Sequence, residues 1–255
     1  MKPPIFIAFQ AILILLLLPL SAGASFPEME EIAEKVRDNY EGLSSWQVDL
    51  ELENGSPSRI HCWRKDDLWR QEWTLDQDGS YQMLRAAVGS GQSMESVCPP
   101  AVLGLPLPPL HLDWIDDPLP RWQKMDLEAE RMSYQFLGER PCVVVGAKHE
   151  ELGKPQVWID IEHHVPLKLV NQQGVRWQWK DYYNLGNYPL PSVMRIEFPE
   201  KEEFQFHLDW RRVGTQIDPS FFEPRALREV CPEEATLEWE ETRLPFLINN
   251  LPRTW

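Results

Sequence analysis

Positive charge is scarce in this chain. Lysine and arginine number 25 against 40 aspartates and glutamates, a formal charge of −15 over 255 residues. That balance argues against a nucleic-acid partner and against electrostatic docking on anionic lipid. Local catalytic signatures are missing as well. The chain has no G-x-S-x-G turn, no phosphate-cradling glycine loop and no H-E-x-x-H helix, so the commonest hydrolase, nucleotide and zinc-protease chemistries have no local support. No two cysteines stand at C-x-x-C spacing, which excludes the usual redox and zinc-ribbon motifs. After residue 20 no stretch is apolar enough to span a bilayer.

What is present begins with a targeting segment. Lys2 is the only charge before Glu28, and an apolar run over 5–20 is interrupted by Gln10. Small residues Ala22 and Ala24 follow in an A-x-A arrangement, as at a secretory cleavage site. The expectation is a signal peptide over 1–24, cleaved near Ala24, and an exported, periplasmic mature chain. Removing 24 of the 255 residues leaves 231, enough for one well-buried domain. Cys62, Cys98, Cys142 and Cys231 all lie in that mature part. In an oxidising compartment an even count suggests two disulfides in one of three pairings, with buried free thiols as the alternative.

One helix is strongly signalled. Ile32, Ala33, Val36, Tyr40 and Leu43 recur at helical steps over 27–43, with Glu28, Glu30 and Glu31 at the start and Gly42 at the end. From Trp46 the period becomes two. Trp46, Val48, Leu50 and Leu52 alternate with polar residues, and Trp69, Gln71 and Trp73 share one face of a later strand. Turn residues recur about every ten positions, the mark of an antiparallel meander. Strands resume at 131–137 and 142–148, where Val143, Val144 and Val145 suggest burial on both faces. A hairpin turns around Glu162-His163-His164. Val175, Trp177 and Trp179 share a face, then Met194, Ile196 and Phe198, then Phe204, Phe206, Leu208 and Trp210. No composition break marks a second domain, and residues 232–255 have no clear period.

The meander is interrupted over 99–120, where seven of the chain's 23 prolines fall. This stretch cannot pair within a central strand, because proline lacks the donor. It also carries Leu103, Leu105, Leu107, Leu110, Leu112, Trp114 and Ile115, which must cover something apolar. A movable lid and a fixed plug both satisfy that demand.

No residue cluster points to a reaction. His163 and His164 are adjacent, so on a strand they would face opposite ways; a solvated turn is the better reading. His61, His111, His149 and His207 are scattered singly. The dominant feature is a set of aromatic side chains at alternate strand positions: Trp69, Trp73, Trp177, Trp179, Phe204, Phe206 and Trp210. One helix of about four turns hides only part of a sheet of about ten strands. The remaining apolar area calls for the proline-rich stretch, the tail or a ligand.

Several short patterns then combine. Pro155-Gln156-Val157-Trp158-Ile159-Asp160 is followed by Pro166-Leu167-Lys168-Leu169, then Tyr182-Tyr183-Asn184, Pro189-Leu190-Pro191 and Asp218-Pro219-Ser220-Phe221-Phe222. Together with a leader and one amphipathic helix, this resembles the outer-membrane lipoprotein-sorting proteins, the LolA-like family with its LolB and RseB-type relatives. The resemblance implies a mainly β fold with α: an incomplete antiparallel half-barrel of about 10–12 strands with an N-terminal helix and a lid. The half-barrel would occupy 25–231, with 232–255 as a C-terminal extension. It further implies a non-catalytic periplasmic carrier or sensor, without cofactor or metal, binding lipid or lipoprotein acyl chains and facing an envelope membrane protein. Trp69, Trp73, Leu103, Leu105, Leu107, Leu110, Trp177, Trp179, Phe204 and Phe206 would form the apolar lining. Pro106, Pro108 and Pro109 keep the lid from being a regular helix. The rival expectation is an envelope interaction module whose sheet is plugged by its own chain.

Overall fold

Alternation along the chain is realised as one continuous sheet. The computed structural model describes residues 27–53, 58–77, 80–91, 93–98, 118–128, 130–148, 154–200 and 202–231. The expected signal peptide, the 54–57 turn, Leu103 to Leu110 and the 232–255 extension lie outside these described residues.

Strands β1 (Ser45–Leu52), β2 (Ser58–Lys65), β3 (Leu68–Gln77), β4 (Ser80–Ser90) and β5 (Ser93–Cys98) form one meander. A second comprises β6 (Met132–Leu137), β7 (Arg140–Val145), β8 (Gln156–Asp160), β9 (Pro166–Val170), β10 (Arg176–Leu185), β11 (Tyr188–Glu197) and β12 (Glu203–Val213). β1 and β12 join them, with Leu50 opposite Leu208 and Leu52 opposite Phe206. The result is a 12-stranded antiparallel sheet, ordered β5-β4-β3-β2-β1-β12-β11-β10-β9-β8-β7-β6 and not closed. β5 and β6 are successive among the described strands, yet they stand at opposite edges of the sheet.

Helix α1 (Met29–Asp38) buries Met29, Ile32, Ala33 and Val36, and carries Glu30 and Glu31 in its first turn and Lys35 and Arg37 in its last, as the helix dipole favours. It is shorter than the predicted 27–43. Its C-terminal turn is drawn onto the sheet, where the Asn39 amide donates to the carbonyls of His163 (2.8 Å) and His164 (2.9 Å). Helix α2 (Pro118–Lys124) buries Trp122 and packs on α1. Near the end of the described chain come a 3-10 turn (Pro219–Phe222) and helix α3 (Pro224–Arg228).

The main core lies between the inner sheet face and α1 and α2. A second cluster, Cys142, Val144, Ala147, Trp158, Val165 and Leu167, lies on the other face of β7–β9. It explains the double-sided burial of Val143, Val144 and Val145. β11 starts at Tyr188, earlier than the sequence pattern indicates. Pro189 and Pro191 are tolerated there because β12 pairs with β11 only from Val193 onward.

One disulfide joins Cys98 and Cys231, in place of the expected two. It sits with Ala86, Val88 and Leu227 and ties α3 to edge strand β5. Cys62 and Cys142 are buried free thiols. They belong to different clusters on opposite faces of the sheet, so no local movement pairs them. Burial raises the Cys62 thiol pKa and pushes that of Cys142 up to about 11, leaving both unreactive at neutral pH.

Candidate functional site

Strand register assembles the predicted aromatics into a wall. Directly opposed residues of an antiparallel pair share a face. One row therefore runs Met132, Val145, Val157, Leu169, Trp177, Ile196 and Phe204, from β6 to β12. A second joins Trp179, Met194, Phe206 and Leu52. A third joins Trp73, Ile60, Leu50 and Leu208. Trp73, Trp177, Trp179, Phe204 and Phe206 are thus brought together, and all are buried. Trp69 stands apart at the β3–β4 rim. It is half-buried, donates from its indole to the Gly91 carbonyl (3.1 Å) and lies so close over Gly89 that a Cβ there would strike the ring.

Among the described residues, the cover over this wall comes from α1 and the turn after it, with Met29, Ile32, Ala33, Val36 and Tyr40, and from α2 and the turn after it, with Trp122, Met125 and Leu127. Asn39 pins one side. The other is held by Gln172 donating to Asp126 (2.6 Å), by Lys154 and Arg131 on Glu128 (3.2 and 3.3 Å), and by Leu127 against Gly146. Gly146 has φ of +97°, and an added Cβ would meet Pro155 and Leu127.

Toward edge strand β6 the inner face emerges from its cover. Met132 is packed on the core, but Tyr134 is 53% and Phe136 72% exposed. Tyr134 opposes Val143 and Phe136 opposes Pro141, whose carbonyl accepts from the exposed Ile161. An apolar ledge therefore continues the wall into solvent. Its signal was in the alternation Met132, Tyr134, Phe136; that this strand is an edge was not readable locally. An open cleft of about 570 Å³ touches Trp179 but is bordered by Leu137 and Leu167 of the second, outer-face cluster and is also lined by Arg140, Lys180 and Asp181. That lining suits a polar group rather than a bare hydrocarbon.

The turn at His163 and His164 is held by Asp160, which accepts from the Glu162 and His163 amides (2.8 and 2.9 Å) and pairs with Arg140 (3.0 Å). Burial alone would raise the Asp160 pKa; these donors outweigh it and hold the carboxyl below its ordinary range. Among the described residues no group of three His, Cys, Asp or Glu side chains could hold a metal ion.

An Asp–His–hydroxyl chain, unseen in sequence, lies on the outer face. Asp49 bonds His61 Nδ1 (2.7 Å), His61 Nε2 meets Thr74 Oγ1 (3.1 Å), and Arg211 donates to the second Asp49 oxygen (3.0 Å). Burial opposes the Asp49 charge, but His61 and Arg211 lower its pKa overall. Thr74 is only 6% exposed, so it cannot present its hydroxyl to a substrate. The chain staples β1, β2, β3 and β12.

No protein-family model matches this chain, and no curated protein matches it. Solved structures do. A LolA superfamily protein from Nitrosomonas europaea superposes with a TM-score of 0.52 at 14% identity, covering 79% of this chain and 100% of the other. The chain has a LolA-like fold. A domain described as an outer membrane lipoprotein-sorting protein from Vibrio parahaemolyticus matches with a TM-score of 0.49 at 15% identity, over 78% of this chain and 97% of that one. A DUF1329 family protein from Desulfovibrio piger matches with a TM-score of 0.45 at 10% identity, over 79% and 100%. At 14% identity the likeness to the Nitrosomonas europaea protein establishes the fold alone, and function must be argued from the site.

Proposed function

We propose that this protein is an exported, non-catalytic carrier or sensor that binds lipid or lipoprotein acyl chains between the inner sheet face and its helical cover. One observation carries the reading. Rows of apolar side chains cross the sheet, are roofed among the described residues by two short helices, and run out to the exposed Tyr134, Phe136 and Ile161.

Magnitudes support displacement of the cover. The buried side chains of α1 hold it with roughly 6–8 kcal/mol, at about 1.5–3 kcal/mol per large apolar side chain. An acyl chain of about fourteen methylenes gains roughly 11 kcal/mol on leaving water, at about 0.8 kcal/mol each. The chain can therefore replace the helix face against the wall. In this reading Trp73, Trp177, Trp179, Phe204 and Phe206 line the ligand and Trp69 borders it. The lining role expected of Leu103, Leu105, Leu107 and Leu110 rests on the sequence alone, because these residues lie outside the described ones. A periplasmic location agrees with the leader-like N-terminus and with the disulfide, which persists in oxidising compartments.

The test is to purify the mature protein from envelope extract without detergent and analyse its organic extract by mass spectrometry. Stoichiometric acyl lipid supports the reading. The second reading, an interaction module with a self-plugged sheet, is favoured by the burial of the wall aromatics against α1 and α2. It predicts an extract empty of lipid and a protein partner retained on the column, an envelope membrane protein being the expected kind.

A further inference from the structure

Two buried indoles of this protein have a clear acceptor: Trp158 donates to Gln156 Oε1 (3.0 Å) and Trp210 to the Pro191 carbonyl (2.8 Å). Trp122 differs from these two. It is 0% exposed, and its Nε1 has no hydrogen-bond partner among the described residues. A donor without an acceptor inside an apolar core is unfavourable, and a phenylalanine would fill much of the same space without that penalty. The place of the residue is informative. α2 comes just before edge strand β6 and packs on α1, and its Trp122 belongs to the same apolar cluster as the wall aromatics.

We propose that the Trp122 N–H is the donor kept for the carbonyl oxygen of a bound acyl group, so that the site favours esters and amides of long-chain acids over carbonyl-free chains of the same length. This rests on the carrier reading above. A bare hydrocarbon would leave the N–H unsatisfied. A charged head group would be costly to desolvate among these apolar side chains. A neutral carbonyl supplies one acceptor and adds no charge, which is what this position lacks.

Two lipids differing only at this point provide the probe: 1-palmitoyl-lysophosphatidylcholine and its 1-O-hexadecyl ether. Each competes below its micelle concentration with an environment-sensitive dye on the mature protein and on Trp122→Phe. The wild type is expected to bind the ester about fivefold tighter. In Trp122→Phe the preference falls to about one, through weaker ester binding. Should that variant not fold, the nitrogen-15 indole spectrum of the wild type decides, with the Trp122 resonance assigned through contacts to Met125 and Leu127. The ester moves this resonance downfield and the ether does not. An equal preference in both proteins, no preference in the wild type, or an unmoved Trp122 resonance overturns the inference while leaving the carrier reading in place. Failure of both lipids to bind the wild type overturns both readings.

Discussion

Removing the Cys98–Cys231 bond by Cys98→Ala with Cys231→Ala, or by reduction, opens a loop of 133 residues. Chain-entropy arithmetic for a loop of that size gives about 5 kcal/mol at room temperature as the full effect on the unfolded state. Residual structure in the open chain reduces it, and the loss of sulfur packing beside Leu227 adds a little back. We expect a net loss of about 3–4 kcal/mol, a large share of the roughly 5–15 kcal/mol typical of a folded domain. The C-terminal strap should stay docked, because Arg70 donates to the Phe221 carbonyl (2.8 Å) and stacks on its ring at 4.1 Å. Urea unfolding followed by tryptophan fluorescence, with and without dithiothreitol, measures the difference. Cys62 and Cys142 should react with a thiol reagent only as the protein unfolds. A loss under about 1 kcal/mol, or four reactive thiols in the unreduced unfolded protein, refutes the reasoning.

Other outcomes follow from the cover and its supports. Asn39→Ala removes two hydrogen bonds from α1 to the β8–β9 turn; stability should fall by about 1–2 kcal/mol in thermal denaturation, while the association rate of an acyl probe in stopped flow rises. Gly146→Ala forces a Cβ against Pro155 and Leu127 at positive φ and should lose about 3 kcal/mol, seen as a lower urea midpoint. Asp160 has a lowered pKa in the folded state, so its contribution is complete above the unfolded value near 4 and fades as pH falls through the folded value. Asp160→Asn should therefore be less stable than wild type at pH 7, with the gap closing as pH falls below the ordinary aspartate value near 4 in acid titrations followed by fluorescence.

Much of this architecture was readable because it is local. The period-two alternation in β1, β10 and β12 assigns Trp46, Trp177, Trp179, Phe204 and Phe206 to one face without any knowledge of partners. The helical spacing of Ile32, Val36 and Tyr40 identifies the element that covers them. What escaped is long-range. Nothing near Leu50 says that Leu208 lies opposite it, and nothing near Met132 marks β6 as an edge. Asp49, His61 and Thr74 are separated by 12 and 13 residues on three strands, so their chain forms only through register. The even cysteine count suggested two bonds, yet the sheet places Cys62 and Cys142 on opposite faces. The alternation Met194, Ile196, Phe198 shows only the second half of β11; Pro189 and Pro191 fit in its first half because β12 is not paired there.

Photolabelling tests the central claim most directly. The mature protein is irradiated with a diazirine-bearing palmitate ester, digested and mapped by mass spectrometry. An acyl chain held under the helical cover should label the inner face, on peptides containing Tyr134, Phe136, Trp122 and Trp179, and unlabelled ester should compete it away. Labelling confined to the outer face around Trp63 and Tyr81, or labelling that does not saturate, would contradict it.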